Sequence, residues 1–234
     1  MDTSKLIFLT GAPGSKWSAI SWVLSEVSEL NVDKTDRTPE RLMVHKEVYN
    51  GVRHTGAYFG PGQDLGTEFD NITKFTKEEI CEQIKQGWEV WDDSKHHIVR
   101  CHQFINNFDW LVKTFPESKF VVVTRRPEQC VIGWKSVGGI DIPYPHYKEY
   151  YKDNETAEIM IKEEAQKALE VMFVHQMDTH IASSGHFKRK WNLEIESEDS
   201  DLARYIRSIE GYMHKQENPM SLLKFDVVVG YLNL

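Results

Sequence analysis

The glycine-rich segment from Gly11 to Ser18 carries residue types that bind anions. It reads Gly-Ala-Pro-Gly-Ser-Lys-Trp-Ser, between an apolar run over Lys5–Thr10 and a helical pattern over Trp17–Glu29. A strand, a turn and a helix N-terminus in this order present backbone N–H groups and the positive end of the helix dipole to one point. The segment therefore predicts a site for a phosphate or a similar anion. The residues predicted to contact that anion are Gly14, Ser15, Lys16, Trp17 and Ser18.

This segment differs from the P-loop pattern of nucleotide-binding proteins, G-x-x-x-x-G-K-[ST]. Ser15 rather than glycine precedes Lys16, and Trp17 rather than serine or threonine follows it. Two interpretations stay open on these residues alone. The segment is a relative of the P-loop, or it is an ordinary strand–turn–helix with a glycine-rich turn.

Two further chemical groups follow other predicted strands. The short strand His97–Cys101 leads into His102, and the apolar, β-branched run Lys119–Thr124 ends at Arg125. Such a run is typical of a buried central strand in a parallel sheet. Ligands of these sheets bind at the carboxyl ends of the strands, so we expect all three groups at one edge. A neutral imidazole suits a general base, and an arginine can bind a phosphate through two hydrogen bonds.

The elements that position these groups are predicted from apolar spacing. The predicted helices also include Thr76–Trp91 with a capping box of Thr76 and Glu79, Gln103–Thr114, a helix from Pro127, Glu155–Ile181 and Ser200–Tyr212. Further strands are predicted over Lys190–Glu196 and Lys224–Leu234, and loops over Gly56–Gly62 and Gly138–Tyr151. Strands that alternate with helices predict an α/β fold, a three-layer α/β/α arrangement with a mostly parallel central sheet. Because no repeat or low-complexity linker divides the chain, we predict one domain over residues 1–234.

Composition limits the classes of partner and compartment. The net charge of −8 argues against general affinity for nucleic acid or anionic membranes. The three cysteines Cys81, Cys101 and Cys130 are odd in number and widely spaced, which favours a reducing compartment over a disulfide framework. The sequence shows no signal-peptide pattern and no apolar run of membrane-spanning length, so we expect a soluble, cytoplasmic protein. We predict no metal, since the spacing of His96, His97, Cys101 and His102 matches no zinc pattern.

Taken together, the glycine-rich segment and the two strand ends resemble the sulfotransferases that use 3′-phosphoadenylyl sulfate as donor. The first strand of that family ends in a loop similar to x-x-P-[KR]-S-G-T-[ST], which binds the 5′-phosphosulfate. Pro13, Ser15 and Ser18 stand in matching places. Gly14 stands where the family has lysine or arginine, and Lys16 stands where it has glycine.

The resemblance extends to the other two segments. The family binds the 3′-phosphate with an arginine at the end of an apolar strand and a serine on the next helix. Arg125 matches that arginine, whereas the serine position falls on Gly133. Ser136, almost one helical turn further on, is the substitute we consider. The segment Arg100–His102 resembles the K-x-H sequence that supplies the general base in the cytosolic branch of the family.

The resemblance implies a P-loop-NTPase-like fold and a sulfuryl transfer to a hydroxyl or amine of a small-molecule or carbohydrate acceptor. The implied product is adenosine 3′,5′-bisphosphate, and no metal is required. Lys16 would stabilise the departing phosphate, and His102 would take the acceptor proton. The residues implied in binding the donor are Gly14, Ser15, Lys16, Trp17, Ser18, Arg125 and Ser136.

Two other functions stay open on the sequence. A P-loop kinase or nucleotide hydrolase that uses ATP and Mg²⁺ would carry an apolar strand ending in aspartate for the metal, whereas the strongest strand here ends in Thr124 and Arg125. The second open function is that of a non-catalytic α/β domain that binds a nucleotide or a protein partner. His45, Glu47 and His54 lie in an irregular stretch that could form an acceptor pocket or a surface excursion.

Overall fold

A computed structural model describes residues 1–35, 37–38, 55–60, 71–142, 147–195, 197, 200–210 and 227–234. Six strands of these ranges form one sheet: β1 Leu6–Gly11, β2 Ala57–Tyr58, β3 His97–Arg100, β4 Lys119–Thr124, β5 Asp178–Ile181 and β6 Val228–Leu232. Their order across the sheet is β2-β3-β1-β4-β6-β5. The first four strands of that order run parallel, and β6 runs antiparallel to both of its neighbours. The predicted α/β class with a mostly parallel sheet is thereby confirmed.

Helices pack against both faces of this sheet. They are α1 Trp17–Ser25, α2 Lys77–Lys85, α3 Phe108–Thr114, α4 Pro127–Ser136, α5 Tyr147–Tyr151, α6 Asn154–Val174, α7 Ser184–Trp191 and α8 Asp201–Glu210. Successive side chains of a strand point to opposite faces. Ile7 and Leu9 of β1 therefore pack with α1, α7 and α8, and Leu6 and Phe8 pack with α2, α3 and α6. Of the helices in the described ranges, none is long and apolar enough to cross a bilayer.

Local sequence signals explain where several elements begin. The strongest predicted strand is confirmed as β4, whose residues from Phe120 onward are fully buried. The capping box at the start of α2 is also confirmed: the Thr76 hydroxyl accepts from the Glu79 N–H at 3.2 Å, and the Glu79 carboxylate accepts from the Thr76 N–H at 2.8 Å. Pro127 occupies the first position of α4, where its missing N–H costs no hydrogen bond.

The predicted helix over Glu155–Ile181 is wrong at its carboxyl end. Helix α6 stops at Val174, and Asp178–Ile181 forms the edge strand β5. Gln176 takes a left-handed conformation with φ 50°. Its N–H donates to the Phe173 carbonyl at 3.1 Å, and the Met177 N–H donates to the Met172 carbonyl at 3.0 Å. This is a Schellman motif, which ends a helix and is usually marked in the sequence by glycine.

Other predicted bounds also need correction. Residues 190 and 191 end helix α7 and are not part of a strand over Lys190–Glu196, because the helix continues until Asn192 adopts a left-handed conformation. The predicted loop Gly138–Tyr151 contains helix α5, and the predicted loop Gly56–Gly62 contains β2. The amino-terminal part of the predicted helix Gln103–Thr114 is a 3-10 helix over His102–Asn107.

Candidate functional site

The backbone between β1 and α1 presents N–H groups that can bind an anion. Gly14 and Lys16 have φ values of 77° and 74°, and Lys16 caps α1 without a side-chain hydrogen bond. The Ser15 N–H donates to the Ala12 carbonyl at 3.0 Å. Within the described ranges, no protein acceptor receives the N–H groups of Gly14, Lys16 or Trp17. These donors at a helix N-terminus provide the type of site that binds a phosphate.

Ser15 adds a buried hydroxyl to this loop. Its side chain is fully buried, and its Oγ has no hydrogen-bond partner among the described residues. A Cβ built on Gly11 would lie 2.8 Å from this Oγ, so the absence of a side chain at Gly11 leaves room for the hydroxyl. A buried polar group without a partner costs free energy, which marks it as a candidate ligand of something bound.

The loop rests directly on the backbone of α4. A Cβ on Gly14 would lie 2.0 Å from the Cys130 carbonyl oxygen and 2.6 Å from the Trp134 nitrogen. A Cβ on Gly133 would lie 2.7 Å from the Gly14 carbonyl oxygen. Gly14 and Gly133, two of the positions at which the sequence departs from the pattern it resembles, therefore touch each other. Glycine at both positions lets the loop and the helix approach this closely.

Two cationic side chains meet at the loop. Arg125, 3% exposed at the end of β4, donates from Nη1 to the Gly14 carbonyl at 3.3 Å. Lys16 is half-buried, and burial together with the nearby charge of Arg125 lowers the pKa of its ammonium group. The Lys16 carbonyl accepts from the N–H groups of Ala19 and Ile20, but its ammonium group makes no hydrogen bond or ion pair with any residue that the structure describes. A bound anion would relieve the repulsion between the two cations.

His102 lies beside the loop in a fixed orientation. It is 5% exposed, and its Nδ1 lies 2.5 Å from the Gly11 carbonyl oxygen, an acceptor, so Nδ1 carries the proton. Its own carbonyl accepts from the Thr10 hydroxyl at 3.1 Å, and the Trp17 ring packs against it at 4.2 Å. Burial lowers the pKa of His102 to about 4. The imidazole is therefore neutral at pH 7, and the lone pair is on Nε2.

Arg100 is a member of this site to which the sequence assigned no separate role. It ends β3 and is fully buried, with its guanidinium carbon 5.6 Å from the Trp17 ring and 5.9 Å from the Tyr58 ring. Its Nη2 donates to the Gly56 carbonyl at 3.3 Å, and its charge helps to lower the pKa of His102. The sequence signal was an arginine at the carboxyl end of a buried strand, the same signal that identified Arg125.

The remaining candidate residues are less closely joined to the site. Ser136 is exposed in the last turn of α4, and its hydroxyl donates to the Gly133 carbonyl of its own helix at 2.7 Å. Ser18 is half-buried in the first turn of α1. His45, Glu47 and His54 lie outside the described residues. In the described ranges, no group of three or more His, Cys, Asp or Glu side chains could hold a metal ion.

Comparisons of the chain with protein-family models, with curated proteins and with solved structures give no match. The features of the candidate site are a loop with open N–H donors, a pair of cations, a buried serine hydroxyl and a neutral histidine, all at the carboxyl ends of β1, β3 and β4.

Proposed function

We propose that the chain is a sulfotransferase that moves a sulfuryl group from 3′-phosphoadenylyl sulfate to a hydroxyl or amine of a small-molecule or carbohydrate acceptor. The observation that carries the proposal is the convergence of Lys16 and Arg125 on the loop after β1. Two cations from separate strand ends suit a donor with separate 5′- and 3′-phosphates. The position of the loop after a central strand also supports the P-loop-like part of the proposed fold.

Lys16 and the open N–H groups of the loop bind the 5′-phosphosulfate in this proposal. Negative charge grows on the phosphate oxygen as its bond to sulfur breaks, and a positioned cation stabilises that charge. The ammonium of Lys16 and the helix dipole of α1 supply this stabilisation. Arg125 binds the 3′-phosphate, and its guanidinium can donate two parallel hydrogen bonds to it.

His102 acts on the acceptor. Its Nε2 lone pair takes the proton from the acceptor hydroxyl or amine while the acceptor atom forms its bond to sulfur. The bond between sulfur and the phosphate oxygen breaks, and the electron pair leaves with the phosphate as adenosine 3′,5′-bisphosphate. The hydrogen bond from Nδ1 to the Gly11 carbonyl sets the direction of Nε2. Negative charge of the bound donor raises the pKa of the imidazole, which improves it as a base.

The nucleotide kinase or hydrolase alternative requires a carboxylate for Mg²⁺ beside the loop. The strands on either side of β1 end in Arg100 and in Thr124, which is followed by Arg125. Their charge favours a second phosphate over a metal ion. The non-catalytic alternative predicts binding of a nucleotide or a protein partner without transfer.

Thermal unfolding tests the proposal. Adenosine 3′,5′-bisphosphate at about a hundred times its dissociation constant should stabilise the protein by about 2.7 kcal/mol. ATP with Mg²⁺ serves as the comparison. Stabilisation by the bisphosphate supports the proposal, stabilisation by ATP with Mg²⁺ alone would support the kinase alternative, and no response to either would contradict both enzymes.

A further inference from the structure

We propose that Gly133 is a positioning residue that sets the distance between the two phosphate subsites. This inference rests on the proposed function and deepens it. Gly133 lies in the second turn of α4, after Arg125 and far from Lys16 in the sequence. It acts through the backbone of the loop, not through contact with the nucleotide.

The loop and helix α4 are in backbone contact at Gly14 and Gly133. A Cβ on Gly133 would lie 2.7 Å from the Gly14 carbonyl oxygen and 3.2 Å from the Gly14 Cα. Real Cβ atoms do not approach backbone atoms at the shorter distance, so any side chain at this position must displace the loop. Helix α4 packs against α6 through a buried cluster that includes Cys130, Trp134 and Ile161. Because Gly14 and Lys16 are only partly buried, we expect an added side chain at Gly133 to shift the loop and leave the helix in place.

Arg125 is hydrogen-bonded to the same part of the loop. The same carbonyl that Gly133 approaches accepts a hydrogen bond from Arg125 Nη1 at 3.3 Å. Helix α4 begins at Pro127, shortly after Arg125, and its second turn supports the loop that contains Lys16. The helix thus joins the two cations into one unit. Displacement of Gly14 changes the position of Lys16 relative to Arg125.

The consequence is a specific effect on recognition of two phosphates. A ligand with one phosphate can follow the displaced loop, since it needs only one subsite. A ligand with two phosphates cannot satisfy both subsites when their separation changes. A charge-assisted hydrogen bond contributes about 1.5 to 3 kcal/mol, so the 3′-phosphate should improve wild-type affinity by about 10- to 100-fold. Gly133→Ala should remove most of that improvement.

The experiment compares the dissociation constants of adenosine 3′,5′-bisphosphate and adenosine 5′-monophosphate by titration calorimetry. We expect the dissociation constant of the monophosphate to exceed that of the bisphosphate by about 10- to 100-fold in the wild type. In Gly133→Ala this ratio should fall to about threefold or less. Gly133→Ser should lower it too, even though serine adds a hydroxyl donor. Gly185→Ala is the matched control, because Gly185 is exposed in α7 and an added Cβ there contacts only side chains.

The outcomes separate this inference from the proposed function. If the wild type shows no preference for the bisphosphate, both are overturned. If the wild type shows the preference and Gly133→Ala keeps it, the positioning role alone is overturned. If Gly133→Ala does not fold, hydrogen exchange of the wild-type protein tests the same inference. By hydrogen exchange, the Ser15 amide should be as protected as the amides of α4, and exchange more than about tenfold faster would contradict a loop held in place by its contact with Gly133.

Discussion

The Nδ1 atom of His102 lies 2.5 Å from the carbonyl oxygen of Gly11, the last residue of β1. This hydrogen bond joins the candidate base to the strand that leads into the anion loop. It also fixes the tautomer, because a carbonyl accepts only from a protonated ring nitrogen. Nε2 is therefore the ring nitrogen with a free lone pair. A substitution that replaces only the Nδ1 donor can distinguish the structural role of Nδ1 from the catalytic role of Nε2.

His102→Asn should keep the fold and the binding of adenosine 3′,5′-bisphosphate but remove sulfuryl transfer. The asparagine amide can replace Nδ1 as donor to the Gly11 carbonyl, whereas it offers no base in place of Nε2. General base catalysis contributes about 10²- to 10⁴-fold, so turnover should fall by that factor. Release of bisphosphate from 3′-phosphoadenylyl sulfate measures turnover. Full turnover in His102→Asn would show that another residue is the base.

The free energy of unfolding should rise with pH between about 4 and 6.5 because of His102. Its folded pKa of about 4 lies below the ordinary 6.5, so the unfolded chain binds more protons in this window. This difference in pKa between the folded and unfolded states corresponds to about 3 kcal/mol in the free energy of unfolding. That stability is fully lost below about pH 4. Urea unfolding across this range measures it. His186, also with a pKa lowered to about 4, adds to the wild-type slope and remains in His102→Asn, so the difference between the two proteins isolates His102. Equal slopes would contradict the burial of His102.

Lys16→Gly should abolish bisphosphate binding without a loss of stability. Lys16 has a positive φ of 74°, which glycine adopts without strain, and its half-buried ammonium lies near the charge of Arg125. Removal of the side chain therefore relieves the backbone strain and the repulsion between the two cations. Lys152→Gly is the matched control, because Lys152 has a φ of 63° and is exposed. It should keep binding unchanged. Tight binding of the bisphosphate by Lys16→Gly would show that Lys16 is not a ligand of the phosphate.

Arg125→Ala should weaken bisphosphate binding by about 10- to 100-fold, whereas Arg126→Ala should leave it unchanged. Arg125 is buried against the loop, and its neighbour Arg126 is exposed and makes no side-chain cap on α4. Arg125→Lys should recover only part of the affinity, since an ammonium cannot donate in the planar, paired geometry of a guanidinium. Equal losses in Arg125→Ala and Arg126→Ala would indicate a general charge effect.

Much of the fold follows from local sequence signals. The apolar run ending at Thr124 predicted β4, and Thr76 with Glu79 predicted the cap of α2, since each signal lies within a few residues. The end of α6 was not predictable in this way, because Gln176 fills a left-handed position that glycine normally marks. Ile181 stood at helical spacing although pairing with β6 makes it part of a strand.

The candidate site was predictable in its charges and not in its packing. Lys16, His102 and Arg125 follow predicted strands, and the parallel sheet brings them to one edge. The contact of Gly14 with Gly133 joins residues far apart in the chain, and no local pattern reports such an approach. The departures at Gly14 and Gly133 therefore looked independent in the sequence, although they are one contact in the structure.

The most direct test of the central claim is the affinity of the wild-type protein for adenosine 3′,5′-bisphosphate compared with ATP and Mg²⁺, measured by titration calorimetry. We expect the bisphosphate to bind, without added metal, about tenfold or more tightly than ATP with Mg²⁺. Binding of ATP with Mg²⁺ and no binding of the bisphosphate would contradict it.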